Sequence, residues 1–141
     1  MREFFDTSVL VAAFTDAHPH HPASFRRFSA AEKSRSACGV HSLAEIYSVM
    51  TALPVRPAIP PEQALLFIEE ILRRLTPVSL TVEEYVTAIR NTAALGFTSG
   101  RIYDALLLAC AAKWQAKAIY TWNLKHYRAS ASDLAGNIKS P

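Results

Sequence analysis

Glu3-Phe4-Phe5-Asp6-Thr7-Ser8-Val9-Leu10 passes after Glu3 from an apolar run through a polar triplet into a second apolar run. Its first three residues read as a short strand, Asp6-Thr7-Ser8 ends it, and residues 9–14 continue as a short helix halted near His18-Pro19. A strand feeding straight into a helix is the opening half of a crossover unit, and the pattern recurs along the chain. Residues 36–40 are short, small and apolar and read as a second strand, residues 78–80 as a third and residues 118–121 as a fourth. Helical patterns lie between them. Residues 22–33 carry Phe25 and Phe28 at i, i+3 with Arg26 and Arg27 between, and Ser42 opens a helix through Met50. Residues 64–75 set Leu65, Ile68, Leu72 and Leu75 on an inner face, behind a helix start at Pro60-Pro61. Thr81-x-x-Glu84 matches a capping box for a helix that runs to about Leu95, with Gly96 as its stop. Residues 101–116 are helical and apolar almost all round, which predicts a deeply buried element, and residues 123–127 read as a loop or short turn. Short strands alternating with helices predict an α/β fold: a short parallel sheet flanked by helices on both faces.

The bulk properties narrow the class. A chain of 141 residues fits one domain with one core, and 50% hydrophobic with 19% charged residues is a globular composition, not a disordered one. A net charge of +3 tolerates a polyanionic partner without demanding one. Cys38 and Cys110 belong to no CxxC or CxxH pattern, which argues against a cysteine-built zinc site. They read as two buried thiols of a reduced cytosol, with a single disulfide left open. Met1-Arg2-Glu3-Phe4-Phe5-Asp6 places an acid where a signal peptide needs an apolar run, and no stretch approaches the roughly 20 apolar residues of a membrane span. The expectation is a soluble, cytoplasmic protein.

In open α/β sheets, functional residues gather outside the carboxyl ends of the strands. Asp6 ends the first strand, Glu45 lies in the first turn of the helix after the second, Asp104 lies in the first turns of the apolar helix, and Asn123 follows the fourth strand. Each has a plainer role open to it. Asp6 is placed to cap the helix that begins near Val9, and Ser42-x-x-Glu45 matches a capping box. Asp104 shares a helical face with Leu107, Leu108 and Ala111, where a carboxylate is costly unless paired, hydrogen-bonded or bound to a cation. Arg101, one turn earlier, is the available partner. His18-Pro19-His20-His21-Pro22 reads as an exposed loop without the partners of a metal site. Arg26 and Arg27 read as a solvated helix face, and Lys125, His126 and Arg128 as solvated side chains, with contact to a polyanion as the second reading of both groups.

Four pieces in order resemble the PIN domain, and more narrowly the VapC-type toxins of bacterial toxin–antitoxin pairs. They are Phe5-Asp6-Thr7-Ser8-Val9-Leu10, Ser42-Leu43-Ala44-Glu45, Arg101-Ile102-Tyr103-Asp104-Ala105-Leu106, and Tyr120-Thr121-Trp122-Asn123-Leu124-Lys125-His126-Tyr127. The resemblance covers nearly the whole chain, residues 1–141, as one PIN-like domain. It implies an endoribonuclease dependent on Mg²⁺ or Mn²⁺, with Asp6, Glu45 and Asp104 at the acidic metal positions. Thr7 or Ser8 then sits beside the metal and orients Asp6 or a water. The fourth position is commonly acidic in the family and here is Asn123, which brings no charge to a second metal. The resemblance also implies homodimers and a cognate antitoxin that covers the site. Two other functions stay open: a housekeeping PIN-type nuclease for RNA maturation, and a weakened RNA- or protein-binding PIN module.

Overall fold

The computed structural model describes residues 1–130 and 133–141. The chain runs β1 (Glu3–Phe5), α1 (Thr7–Ala13), α2 (His21–Ser29), β2 (Ser36–Gly39), α3 (Val40–Ala52), α4 (Pro61–Arg74), β3 (Thr76–Val78), α5 (Val82–Ala94), α6 (Arg101–Lys113), β4 (Ala118–Tyr120), α7 (Leu124–Ser130) and β5 (Ile138–Lys139), with a short 3-10 turn at Ala135–Asn137. All strand pairs are parallel and the order is β3-β2-β1-β4-β5. The chain therefore builds outward from β1 in one direction through β2 and β3, then crosses back to place β4 on the other side of β1. That reversal creates a crevice at the carboxyl ends of β1 and β4, the place where such sheets bind ligands.

Adjacent residues of each strand face opposite sides of the sheet, as a period of two requires. Phe5, Cys38, Ala118 and Tyr120 pack with α1 to α4 through Val9, Leu10, Phe28, Ile46, Met50 and Ile71. Phe4, Ala37, Val78 and Ile119 pack on the other side with Leu107, Leu108, Ala111 and Tyr127 of α6 and α7. Gly39 lets α6 come this close, since a Cβ there would stand 2.5 Å from Leu107 Cδ2.

Several boundaries differ from the sequence expectation. The third strand is Thr76–Val78 instead of residues 78–80; Pro77 is accepted because β3 lies at the edge of the sheet, where one lost N–H is harmless. The inner face of α4 is Ala64 and Ile71, with Leu65 52% exposed. Ile68 and Leu75 pack into the core as expected, while Ala64, Phe67 and Ile71 take the inward positions expected of Leu65 and Leu72. Residues 124–130 form a helix where a loop or turn was expected, and β5 was not anticipated. Two residues carry too little pattern to be read as a strand. The Thr81/Glu84 capping box is present in both directions, and Gly96 takes φ 75° after α5 as expected.

Cys38 and Cys110 are free and buried. They belong to the two opposite faces of the sheet, so the disulfide left open by the sequence does not form. Burial pushes the Cys38 thiol up to about 12 and the Cys110 thiol up to about 11. We expect neither to react with a water-soluble thiol reagent at pH 8 in the native state, and both to react once urea unfolds the chain. Rapid native labelling, followed by mass spectrometry, would contradict this packing. No helix among the described residues is long and apolar enough to cross a membrane.

Candidate active site

Asp6 stands where β1 stops. Its backbone N–H donates to the Tyr120 carbonyl at 2.9 Å, which ties it to the end of β4 across the crevice. It occupies the N-cap position of α1, yet its side chain makes no capping bond. The carboxylate instead receives three hydroxyls. Ser8 Oγ and Thr121 Oγ1 donate to Oδ2 at 2.6 and 2.7 Å, and the Tyr127 hydroxyl donates to Oδ1 at 2.6 Å. Each carboxylate oxygen offers two lone-pair positions, so Oδ2 is filled and Oδ1 keeps one free. Two of the three donors are themselves fixed. Ser8 Oγ accepts from the Trp122 N–H at 3.0 Å, and Thr121 Oγ1 accepts from the Asn123 N–H at 3.0 Å. Burial, then the adjacent Asp6 charge, holds the Tyr127 phenol well above its ordinary range, so it remains a neutral donor.

Glu45 is not the capping residue its spacing suggested. The helix begins at Val40 with Gly39 as N-cap, two residues before Ser42, so Glu45 sits in the second turn and Ser42 is wholly buried. Thr7 Oγ1 donates to Glu45 Oε1 at 3.0 Å and pairs with Ser42 Oγ at 2.7 Å. With the Thr7 proton directed to Glu45, Ser42 donates in turn to Thr7, forming a short relay that aims the carboxylate. His41 Nε2 stands 3.8 Å from the same oxygen. The supporting residues are thus divided: Ser8 orients Asp6, whereas Thr7 orients Glu45. Burial is the main cause of the raised Glu45 carboxyl, with Asp6 adding repulsion and Thr7 and His41 opposing it.

Asp104, on the fourth residue of α6, is half-buried. Arg101 does not pair with it. Its guanidinium lies 3.9 Å from the Phe97 ring centroid and donates to Ser130 Oγ at 3.2 Å. Among the described residues Asp104 has neither a salt bridge nor a side-chain hydrogen bond. Its carboxyl is raised first by burial, then by Asp6, with His126 and Arg101 opposing and Glu45 adding the smallest repulsion. Carboxylates from the end of β1, from α3 and from α6 therefore feel one another's charge, and Asp104 meets that repulsion with no ion pair among the described residues.

Among the described residues no three Asp, Glu, His or Cys side chains close into a ready-made metal cage. The donor set nevertheless suits a hard divalent cation. It is all oxygen, carries excess negative charge, and has one free position on Asp6 plus an unpaired Asp104. Mg²⁺ takes only one or two protein carboxylates directly and keeps several waters, so an all-protein cage is not required. Asn123 is exposed at the entrance to α7, whose first turn is closed by the Tyr127 N–H on the Asn123 carbonyl at 3.1 Å.

Thr121 and Tyr127 were missed as site residues. Thr121 follows β4 as Asp6 follows β1, so the strand-end rule applied one residue at a time would have found it. Tyr127 was hidden because its helix was read as a loop. Of the basic residues, Arg128 is held by the Ile138 carbonyl at 3.2 Å and Arg27 lies 4.4 Å from the Tyr120 ring centroid, so neither is simply solvated. Lys125 and His126 are exposed beside the site. Of the three histidines expected in a loop, His18 accepts from the His20 N–H, His20 stacks on Trp122, and His21 opens α2 with its ring at the Ala12 carbonyl.

A model of the PIN domain matches residues 4–131. Ribonuclease VapC27 of Mycobacterium tuberculosis is 33% identical over 112 residues, covering 79% of this chain and 78% of the relative. Among solved structures, the chain resembles the sarcin-ricin loop cleaving toxin VapC20 of M. tuberculosis, with TM-score 0.70, 16% identity and 86% and 89% of the two chains covered. It also resembles VapBC2 of Rickettsia felis, solved bound to a promoter DNA fragment, with TM-score 0.66, 17% identity and 99% and 98% coverage. With the family model spanning nearly the whole chain and the parallel sheet in place, this protein belongs to the PIN domain family.

Proposed function

We propose that this chain is a single-domain, divalent-metal-dependent endoribonuclease, the toxin of a toxin–antitoxin pair, that hydrolyses RNA phosphodiester bonds. The observation that carries the reading is that Asp6, at the end of β1, adds repulsion to both Glu45 and Asp104, with Asp104 half-buried and in no ion pair among the described residues. Asp6, through Oδ1, and Asp104 would hold Mg²⁺ or Mn²⁺, with Glu45 aimed by Thr7 to bind or orient a water. When bound, the cation supplies an activated water and offsets charge building on the scissile phosphate. The chain's own groups do the positioning: Ser8, Thr121 and Tyr127 fix the Asp6 carboxylate, while Lys125 and His126 face the RNA backbone. Without a cation the three carboxylates repel a phosphate as well as each other. Similarity to VapC27, named a ribonuclease, supports RNA as substrate.

The antitoxin and a homodimer belong to the same proposal. Val82, Tyr85, Val86 and Ile89 recur at i, i+3, i+4 and i+7 along α5, exposed by 76%, 43%, 37% and 45%, an apolar stripe that this chain leaves uncovered. Purified protein incubated with total RNA is expected to cleave it with Mg²⁺ or Mn²⁺ and to stop when EDTA is added in excess. Expression alone is expected to arrest growth, and co-expression of the adjacent gene to restore it. Cleavage that persists in EDTA would overturn the metal-dependent mechanism, and unimpeded growth would leave a nuclease without a toxin role.

A further inference from the structure

Two stacked aromatic pairs flank the carboxylates, and nothing in the hydrolytic chemistry uses them. On one side the His20 ring lies against Trp122, with centroids 3.7 Å apart and planes 9° from parallel. Trp122 is positioned by its backbone N–H on Ser8 Oγ and its indole N–H on Ser24 Oγ at 2.8 Å. On the other side His41 and Tyr103 stand 5.2 Å apart with planes 2° from parallel. Both neighbours of that second pair are acidic site residues: His41 Nε2 is 3.8 Å from Glu45, and Tyr103 directly precedes Asp104.

The sheet order explains the symmetry. His41 follows β2 and Trp122 follows β4, and β2 and β4 are the two neighbours of β1, which carries Asp6. The pairs are thus separated by about two strand spacings, roughly 10 Å at the level of the backbone. The outer ring of each pair is left in solvent: His20 is exposed and Tyr103 is 48% exposed. Neither outer ring belongs to the buried core.

We propose that His20–Trp122 and His41–Tyr103 are base-stacking platforms that seat the unpaired nucleotides on either side of the scissile phosphate. The inference rests on the ribonuclease reading of the carboxylates. Stacking on an aromatic face is tolerant of base identity but requires the base to be out of a duplex. Two platforms bracketing one acidic centre therefore select splayed, single-stranded nucleotides and hold the intervening phosphate over Asp6 and Asp104.

The test uses the full chain in a Trp114→Phe background, which leaves Trp122 as the single tryptophan among the two in the sequence. A short mixed-sequence oligoribonucleotide, single-stranded or annealed to its complement, is titrated while tryptophan fluorescence is followed, and cleavage is measured separately with Mg²⁺. The single strand is expected to quench Trp122. His20→Ala and Tyr103→Ala are each expected to weaken its binding about 5- to 100-fold, and His20→Phe and Tyr103→Phe to retain it. Alanine variants within about twofold of the parent, or a duplex that binds as tightly as the single strand, would overturn the proposal. Binding that follows this pattern without any cleavage supports the platforms and refutes the nuclease reading. Cleavage with alanine variants of unchanged affinity does the reverse.

Discussion

Asp104→Asn is expected to lower the rate of metal-dependent RNA cleavage about 100- to 1000-fold while leaving the metal-free protein at least as stable as the parent. The first half follows from the role proposed for the side chain. Loss of several kcal/mol of stabilisation around the scissile phosphate corresponds to two or three orders of magnitude in rate. The second half follows from the charges. Asp104 forms no ion pair among the described residues, and burial, then Asp6, raises its carboxyl against smaller opposing contributions from His126 and Arg101. A carboxyl raised on folding binds more protons in the native than in the unfolded state, so its ionisation subtracts stability. That loss begins as pH rises above the ordinary carboxylate range and is complete above the raised native value; Glu45 acts in the same direction. Because both groups remain partly open to solvent, the effect is a few degrees of Tm at most.

The measurement is a pair of melting series in EDTA across the acid range, with a third in Mg²⁺ at neutral pH. The Asn variant is expected to melt at or above the parent at neutral pH. The gap should close as acid protonates the parent's carboxyl in both states. Added Mg²⁺ should stabilise the parent and stabilise the variant less. A variant that melts well below the parent in EDTA would show that Asp104 is a structural residue, and full cleavage activity would remove it from the mechanism.

The largest loss of stability is expected from Asp6→Ala. The side chain is 3% exposed and accepts from Ser8, Thr121 and Tyr127. Removing it leaves three hydroxyls without their acceptor. Ser8 and Thr121 stand 3.5 Å apart and retain each other in part, but the Tyr127 hydroxyl is buried in a residue of zero exposure. An unsatisfied buried donor costs about 1–3 kcal/mol and a lost bond to a charged acceptor a similar amount, while relief of repulsion with Glu45 and Asp104 returns part of it. The net loss expected is about 2–4 kcal/mol. Tyr127→Phe removes one donor without orphaning another and is expected to cost less, about 1–2 kcal/mol. Urea unfolding in EDTA reads both. Asp6→Ala with the parent's midpoint would mean that the three hydroxyl bonds do not hold this corner together.

These two acids show how differently the sequence and the fold contribute. Asp104 was legible because a lone acid on an apolar helical face is conspicuous under any fold. Its proposed partner Arg101 was a neighbour on paper only, since the guanidinium turns to Phe97 and Ser130. Glu45 was legible as an acid but not in its role. A helix starting two residues earlier converts a capping spacing into a side chain aimed at Thr7. Thr121 and Tyr127 carry no charge pattern, so nothing local distinguished them from ordinary strand-end and helix residues.

The α/β class, most strands and helices, the apolar inner face of α6 and the candidate acids are legible in the sequence alone, although the outer side of α6 is open where full burial was expected. Each of these depends on periodicity, turn chemistry or residue type within a few neighbours. Which strand ends adjoin is settled by packing across the whole chain, and with it the place of β1 between β2 and β4. Tertiary packing alone brings hydroxyls from α1, β4's end and α7 onto Asp6, lets Glu45 accept from Thr7 instead of capping its helix, and sets two aromatic pairs beside the site. Such contacts join residues more than a hundred positions apart, as Thr121 and Tyr127 are from Asp6. A short parallel strand has no local signal for its neighbours, because its pairing is closed through crossovers and chosen by how two whole helical layers pack.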